Sequence, residues 1–302
     1  MDIERVADFG DLCGESPVWD AVHGVLYWAD CGGLRFYRYD ARADRAELLH
    51  GGLEINGFRR NRSGGFAIVN NSGIWVWPGP GSDPQLIASD AGGQRCRMND
   101  CAADARGRLL SGSWFYDPAG EYPLGCLMRV DPDGGVTVLD DGYCLSNGLA
   151  FSPDGRRLYV TDSARRVIYE YDYDPSSGAA TNRRVRVTVP GDEGLPDGLR
   201  VDASGFLWSA QWYGGCVVRY DPDGKPERRI SVPAKQVSCI TFGGGNLSTL
   251  FITTAGQSEA MPIMPPGYDP RTGPFGGGLY RIETGIEGLA DSEADISLAR
   301  IR

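Results

Sequence analysis

Histidine is nearly missing from this chain: His23 and His50 are the only two in 302 residues. The eight cysteines stand at 13, 31, 96, 101, 126, 144, 216 and 239, with no Cys-x-x-Cys pair among them. A zinc site of the Cys/His type therefore has no ligand set to draw on, and such scattered thiols read as reduced residues of a cytosolic protein. No apolar run approaches the ~18 residues of a membrane-spanning helix. The opening residues Met1-Asp2-Ile3-Glu4-Arg5 carry neither the basic nor the apolar part of a secretory leader. A cytoplasmic location is the expectation. Positive charge is outnumbered as well: a formal charge of −10 argues against nucleic acid or an anionic membrane as partner, since both need a basic face. Amphipathic helical stretches, a Ser-His-Asp motif, a phosphate loop and a dinucleotide fingerprint are all missing.

What the chain has instead is one short phrase, repeated, that starts with a polar side chain. It reads Glu15-Ser16-Pro17-Val18-Trp19-Asp20, then Asn99-Asp100-Cys101-Ala102-Ala103-Asp104. Asn147-Gly148-Leu149-Ala150-Phe151-Ser152 and Asp197-Gly198-Leu199-Arg200-Val201-Asp202 follow, with weaker copies at Asn56-Gly57-Phe58 and Ser238-Cys239-Ile240. The starting points are about 40–50 residues apart, the period of propeller blades. Each phrase leads through a Gly-containing turn, such as Ser152-Pro153-Asp154-Gly155 or Asp202-Ala203-Ser204-Gly205, into further strand-like runs rich in Val, Tyr, Trp and Phe. More turns of this kind stand at Asp131–Gly134 and Asp221–Gly224.

Six such repeats predict an all-β, six-bladed β-propeller, and the repeat fills residues 1–302 as one domain. Ring closure is expected between the N-terminal segment and a last blade containing Gly278-Leu279-Tyr280-Arg281-Ile282. In a propeller the first strand of each blade lines the axis. The openers Glu15, Asn99, Asn147 and Asp197 then converge, and two carboxylates with two amides make a hard, oxygen-only set for Ca²⁺, Mg²⁺ or Mn²⁺. The competing reading is that each opener only caps a turn, with Asn-Gly and Asp-Gly serving the backbone. Two carboxylates in phase repel unless a cation lies between them, which favours the metal.

A wall for a polyhydroxylated ligand stands near this centre. Arg97 lies two residues before Asn99, Asp117 and Glu121 share a loop of the third repeat, and Trp212 and Tyr213 occupy the matching loop of the fifth. A solvated loop is the alternative for the two acids, and rim packing for the two aromatics. Cys96 and Cys101 flank Arg97 and Asn99, but no histidine stands nearby to activate a thiol.

Taken together, Gly14-Glu15-x-Pro17-Val18-Trp19, Arg97-x-Asn99-Asp100, Ser146-Asn147-Gly148 through Gly155, Pro196-Asp197-Gly198, Phe242-Gly243-Gly244 and Gly276-Gly277-Gly278-Leu279 resemble the SMP-30/gluconolactonase/regucalcin family of six-bladed propellers. The resemblance covers nearly the whole chain in order. It implies Glu15, Asn147 and Asp197 as metal ligands, Arg97 and Asn99 as substrate contacts, and Asp117 at an acidic substrate-loop position. The implied cofactor is one divalent cation, Ca²⁺ first, with Mg, Mn, Zn or Fe as alternatives. The implied partner is a small sugar lactone, for a monomer or dimer. Two departures stand out: Ser16 replaces the usual Gly, and Ser113-Trp114 replaces the customary Thr-Met, which bears on the substrate more than on the metal.

The expected activity is hydrolysis of aldono-lactones, with the cation as Lewis acid and Asp197 as the base toward water; hydroxide generated at the metal is the other source of the nucleophile. Rival readings are a phosphotriester or xenobiotic ester hydrolase on the same site, and a non-catalytic cation-binding propeller.

Overall fold

A computed structural model describes residues 2–114, 124–256 and 261–297. Six four-stranded antiparallel sheets follow one another in a ring, joined by a small hairpin of Asp90–Ala91 with Gln94–Arg95. The innermost strands are Gly14–Asp20, Gly57–Arg60, Met98–Ala103, Ser146–Phe151, Leu195–Val201 and Val237–Gly243, one per blade. Each touches the innermost strand of the next blade, and the sixth returns to the first, so the ring is closed. This is the six-bladed propeller that the repeat predicts. No helix occurs among the described residues, so none there is long and apolar enough to cross a membrane.

The turns form where the sequence places them. Gly155 donates to Ser152, Gly205 to Asp202, Gly134 to Asp131 and Gly224 to Asp221, all through backbone N–H···O bonds of 2.8–2.9 Å. Closure also follows expectation: Glu4–Asp8 pairs with Gly278–Glu283 and completes the sixth blade from the other end of the chain. The core lies between blades, where apolar faces of neighbouring sheets meet. Phe36, Phe58, Phe66 and Trp77 form one such edge-to-face aromatic layer between the first two blades.

The structure adds an outer strand to blades 1 to 5, for example Ala179–Thr188 in blade 4 and Pro226–Ser231 in blade 5. These strands face solvent and carry Arg183, Arg184, Arg186, Arg228 and Arg229, so the apolar alternation that marks the other three is absent. Residues 286–297 form a strap across the end of the ring where the inner strands finish. It bridges Gly288 to Asp202 and Ala294 to Asn61, and Asp295 N–H donates to Gly107 (2.8 Å).

Candidate active site

The repeated phrase is a bulge. Pairing between first and second strands slips between Glu15 and Val18, Met98 and Cys101, Ser146 and Leu149, Pro196 and Leu199, and Val237 and Cys239. Blade 2 pairs without a slip. A bulge bends a strand and re-aims the side chains within it, so the phrase leaves the ordinary alternation of the sheet at the residues of interest. Just before two of these points, carboxylates on the second strands hold the incoming chain. Asp30 accepts from Cys13 N–H (2.8 Å) and Asp162 from Cys144 N–H (3.0 Å), fixing the approach to Glu15 and Asn147.

Most openers also lace neighbouring blades together. Nδ2 of Asn56 donates to the Met98 carbonyl (2.9 Å), and Nδ2 of Asn99 to the Ser146 carbonyl (2.9 Å). Nδ2 of Asn147 donates to Ser163 Oγ (3.3 Å), which itself donates to the Pro196 carbonyl (2.6 Å). Ser238 Oγ donates to the Gly14 carbonyl. A carbonyl only accepts, and the Ser163 proton is committed to Pro196, so the amide orientations of Asn99 and Asn147 are fixed. Each keeps its Oδ1 for another partner. Capping the blade and presenting an oxygen are thus the same arrangement, not rival readings.

The carboxylates behave differently. Asp197 is buried, and its Oδ1 has no hydrogen-bond partner. Burial, then the charges of Asp100 and Cys31, push its carboxyl well above the usual range. Glu15 is half-buried and raised likewise by desolvation, then by Asp197, Cys31 and Asp100. Glu15, Asp100 and Asp197 come from blades 1, 3 and 5 and still act on one another, so they face a common axial space. Ser16 Oγ reaches from blade 1 to Asp100 Oδ1 of blade 3 (3.4 Å) across the same space. Among the described residues no three His, Cys, Asp or Glu side chains stand at metal-ligand geometry. The candidate set is two carboxylates plus the Asn147 amide oxygen, and the orphaned Asp197 Oδ1 with its repelling neighbours fits a hard divalent cation.

Ser16 has φ +48°, a left-handed conformation that costs an L-residue about 1 kcal/mol and that glycine adopts freely. Its backbone N–H, which any residue would supply, donates to Glu15 Oε2 (3.1 Å), while the hydroxyl that distinguishes serine stands 3.3 Å from the Asn56 carbonyl and adds a contact to blade 2. Gly148 and Gly198 answer to a different constraint. A Cβ on Gly148 would stand 2.3 Å from Leu199 N, and one on Gly198 2.4 Å from Cys239 Sγ. Adjacent inner strands touch backbone to backbone at these points.

Around the openers, the Arg97 guanidinium lies over the Trp114 ring at 4.0 Å. Trp114 N–H donates to the Arg97 carbonyl (3.0 Å), and its Nε1 donates to Asn71 Oδ1 (3.2 Å). Asn71 in turn donates to Glu54 Oε1 (2.6 Å). Asp117 and Glu121 lie outside the described residues. Tyr213 is buried against Tyr268 (ring centroids 4.6 Å) and packs at the rim, whereas Trp212 is half-exposed with a buried, unpartnered Nε1. Burial pushes the Cys96 and Cys101 thiols up to about 12, so neither is an activated nucleophile.

Asp100 is the residue that sequence reasoning missed. Its signal was visible: the second position of the phrase is Gly57, Gly148 and Gly198 in three copies, and a carboxylate stands there in blade 3. Cys31, from the end of the second strand of blade 1, carried no such signal.

Pentonolactonase XacC of Haloferax volcanii is 35% identical to this chain over 300 residues, 99% of this chain and all of that protein. The 6-deoxy-6-sulfogluconolactonase of Pseudomonas putida is 32% identical over 281 residues, covering 93% of this chain and 94% of the relative. Among solved structures, a luciferin-regenerating enzyme superposes with a TM-score of 0.86 at 27% identity, over 98% of this chain and 99% of its own. A model of the SMP-30/gluconolactonase/LRE-like region matches residues 13–256. With that match and these full-length likenesses on a six-bladed ring, the chain belongs to the SMP-30/gluconolactonase/LRE-like family.

Proposed function

We propose that this protein is a metal-dependent sugar lactonase that opens aldono-lactones to aldonic acids. The carrying observation is the buried Asp197 Oδ1, unpartnered and set among like charges where the repeat converges. The names of the pentonolactonase and sulfogluconolactonase relatives support the substrate class. Glu15, Asn147 and Asp197 would hold the cation; bound there, it supplies Lewis acidity to the lactone carbonyl and stabilises the oxyanion.

The chain's own residues do the remaining work. Asp197 accepts a proton from the attacking water, whose oxygen bonds to the carbonyl carbon. The C–O bond of the ring then breaks, and the ring oxygen leaves as a hydroxyl carrying the returned proton. Asn99 Oδ1 accepts from a sugar hydroxyl, and the Arg97 fork, steadied by Trp114, donates to others. Asp117 is the further substrate contact proposed. A single-domain, cytoplasmic protein acting on a diffusible sugar lactone completes the reading.

A panel tests it. Proton release is followed with five-carbon and six-carbon aldono-lactones and with a phosphotriester. Opening of at least one lactone far above its spontaneous rate, with little action on the phosphotriester, is expected. Lactone rates equal to buffer, or a preference for the phosphotriester, would refute it.

A further inference from the structure

Beneath the carboxylates, the channel carries positive charge. Arg200 starts on the inner strand of blade 5 and donates from Nη2 to the Pro17 carbonyl of blade 1 (3.2 Å). Its guanidinium therefore crosses the channel past blade 6. Nη1 donates to the Leu199 carbonyl (2.8 Å), and Nε stands 3.4 Å from Asp291 Oδ1 on the strap. Arg59, on blade 2, is 1% exposed; the one hydrogen bond of its guanidinium among the described residues donates to the Phe58 carbonyl (2.6 Å). A buried guanidinium without a paired carboxylate is costly. Burial opposes the Arg59 charge, while Asp291 and Asp100 are among the groups that sustain it. Thr241 Oγ1 donates to Asp291 Oδ2 (3.0 Å) and sets that carboxylate against the arginines. All three charged groups line one cavity of about 320 Å³ at the strap end of the ring.

The axis is thus layered: Glu15, Asp197 and Asp100, then Arg59 and Arg200, then Asp291. Four carboxylates face two guanidiniums, and one divalent cation brings the stack to neutrality. We propose that Arg59, Arg200 and Asp291 form a counter-charge layer that sets how tightly the axis holds a divalent cation, so that the strap tunes the site at the opposite end of the ring. The proposal rests on the metal reading above. Asp197 and Arg200 are three residues apart on one bulged strand, at most about 10 Å along the backbone. A unit charge at that distance shifts the binding of a divalent ion about fourfold even at solvent-like screening, and more in the interior. The arginines act as a brake on affinity, and Asp291 partly releases it.

Calorimetric titration of the chelator-stripped full chain with CaCl2 and MnCl2 tests this, with folding of each variant verified by thermal unfolding. Asp291→Asn, one layer farther out, is expected to weaken cation binding about twofold to threefold, and Arg59→Gln to tighten it about fourfold. Arg200→Gln carries the same expectation as Arg59→Gln and replaces it if that variant does not fold. A role in packing alone would weaken binding in all of them. Wild-type binding with both charge changes shifting affinity the same way, or not at all, overturns the proposal alone. A wild-type protein that binds neither cation overturns the metal reading with it.

Discussion

Arg97 and Trp114 hold each other in place beside the openers, and the flat contact at 4.0 Å fixes where the guanidinium fork points. Such a contact contributes about 0.5–2 kcal/mol. Trp114→Met, the residue the family resemblance leads one to expect, should raise KM for the preferred lactone about threefold to tenfold and leave kcat within twofold. An unchanged KM in steady-state kinetics would remove Trp114 from substrate recognition. Asp11 offers a second residue-level outcome. Burial foremost, and Asp30 beside it, push its carboxyl from 3.8 up to about 6, against a bond from Trp28 Nε1 (3.0 Å) that favours the charge. The folded chain then holds this proton more tightly than the unfolded one, so stability falls as pH rises from about 4 to about 6. This group should account for roughly 2 kcal/mol of that fall. Asp11→Asn should flatten it, seen as a narrowing difference in urea unfolding between wild type and variant; parallel pH profiles would contradict the assignment. At this scale the sequence was legible where chemistry repeats: the polar openers could be read from their phase alone. Arg59 and Arg200 could not, because a buried arginine on an inner strand looks in sequence like any surface charge.

The bulge is the element that turns a structural repeat into a site. Without the slip at Pro196–Leu199, strict alternation governs which face of the sheet Asp197 serves; with it, the side chain is re-aimed. Bulges have no single-residue signature, which is why Asn-Gly and Asp-Gly were readable as turn chemistry and as ligands at once. Glycine at the next position lets neighbouring inner strands approach, as at Gly148 over the Asp197–Leu199 backbone. Gly148→Ala should therefore cost about 2 kcal/mol or more by overpacking and also weaken cation binding by spreading Asn147 from Asp197. Equilibrium unfolding together with a metal titration checks both, and a variant as stable as wild type would place the constraint elsewhere. Three strands per blade were legible from aromatic and β-branched runs between Gly turns. The fourth was not, since an outer strand such as Ala179–Thr188 is solvated and its arginines erase the alternation.

At the scale of the whole molecule, the ring gathers six distant segments at one axis and closes with Glu4–Asp8 against Gly278–Glu283. The repeat period announced the ring, while the pairing that closes it was an expectation from the propeller architecture, not from the period. The strap across the far end had no repeat to reveal it, and residues 286–297 show little periodicity of their own. A closed ring also explains how unequal copies divide the work. Asn56 and Ser238 join blades, Asn99 and Asn147 join blades and present an oxygen, and the charges of Glu15 and Asp197 share a single hydrogen bond among the described residues, from Ser16 N–H to Glu15. The central claim is that this charge exists to hold a cation that opens a lactone. The most direct measurement is the initial rate of aldono-lactone opening by one preparation as isolated, after exhaustive chelation, and after adding back Ca²⁺, Mn²⁺ or Mg²⁺, with Asp197→Asn in parallel. The account predicts at least a hundredfold loss on chelation, recovery with a divalent cation, and no recovery in the variant. Full activity after chelation, or an Asp197→Asn protein as fast as wild type, would contradict it.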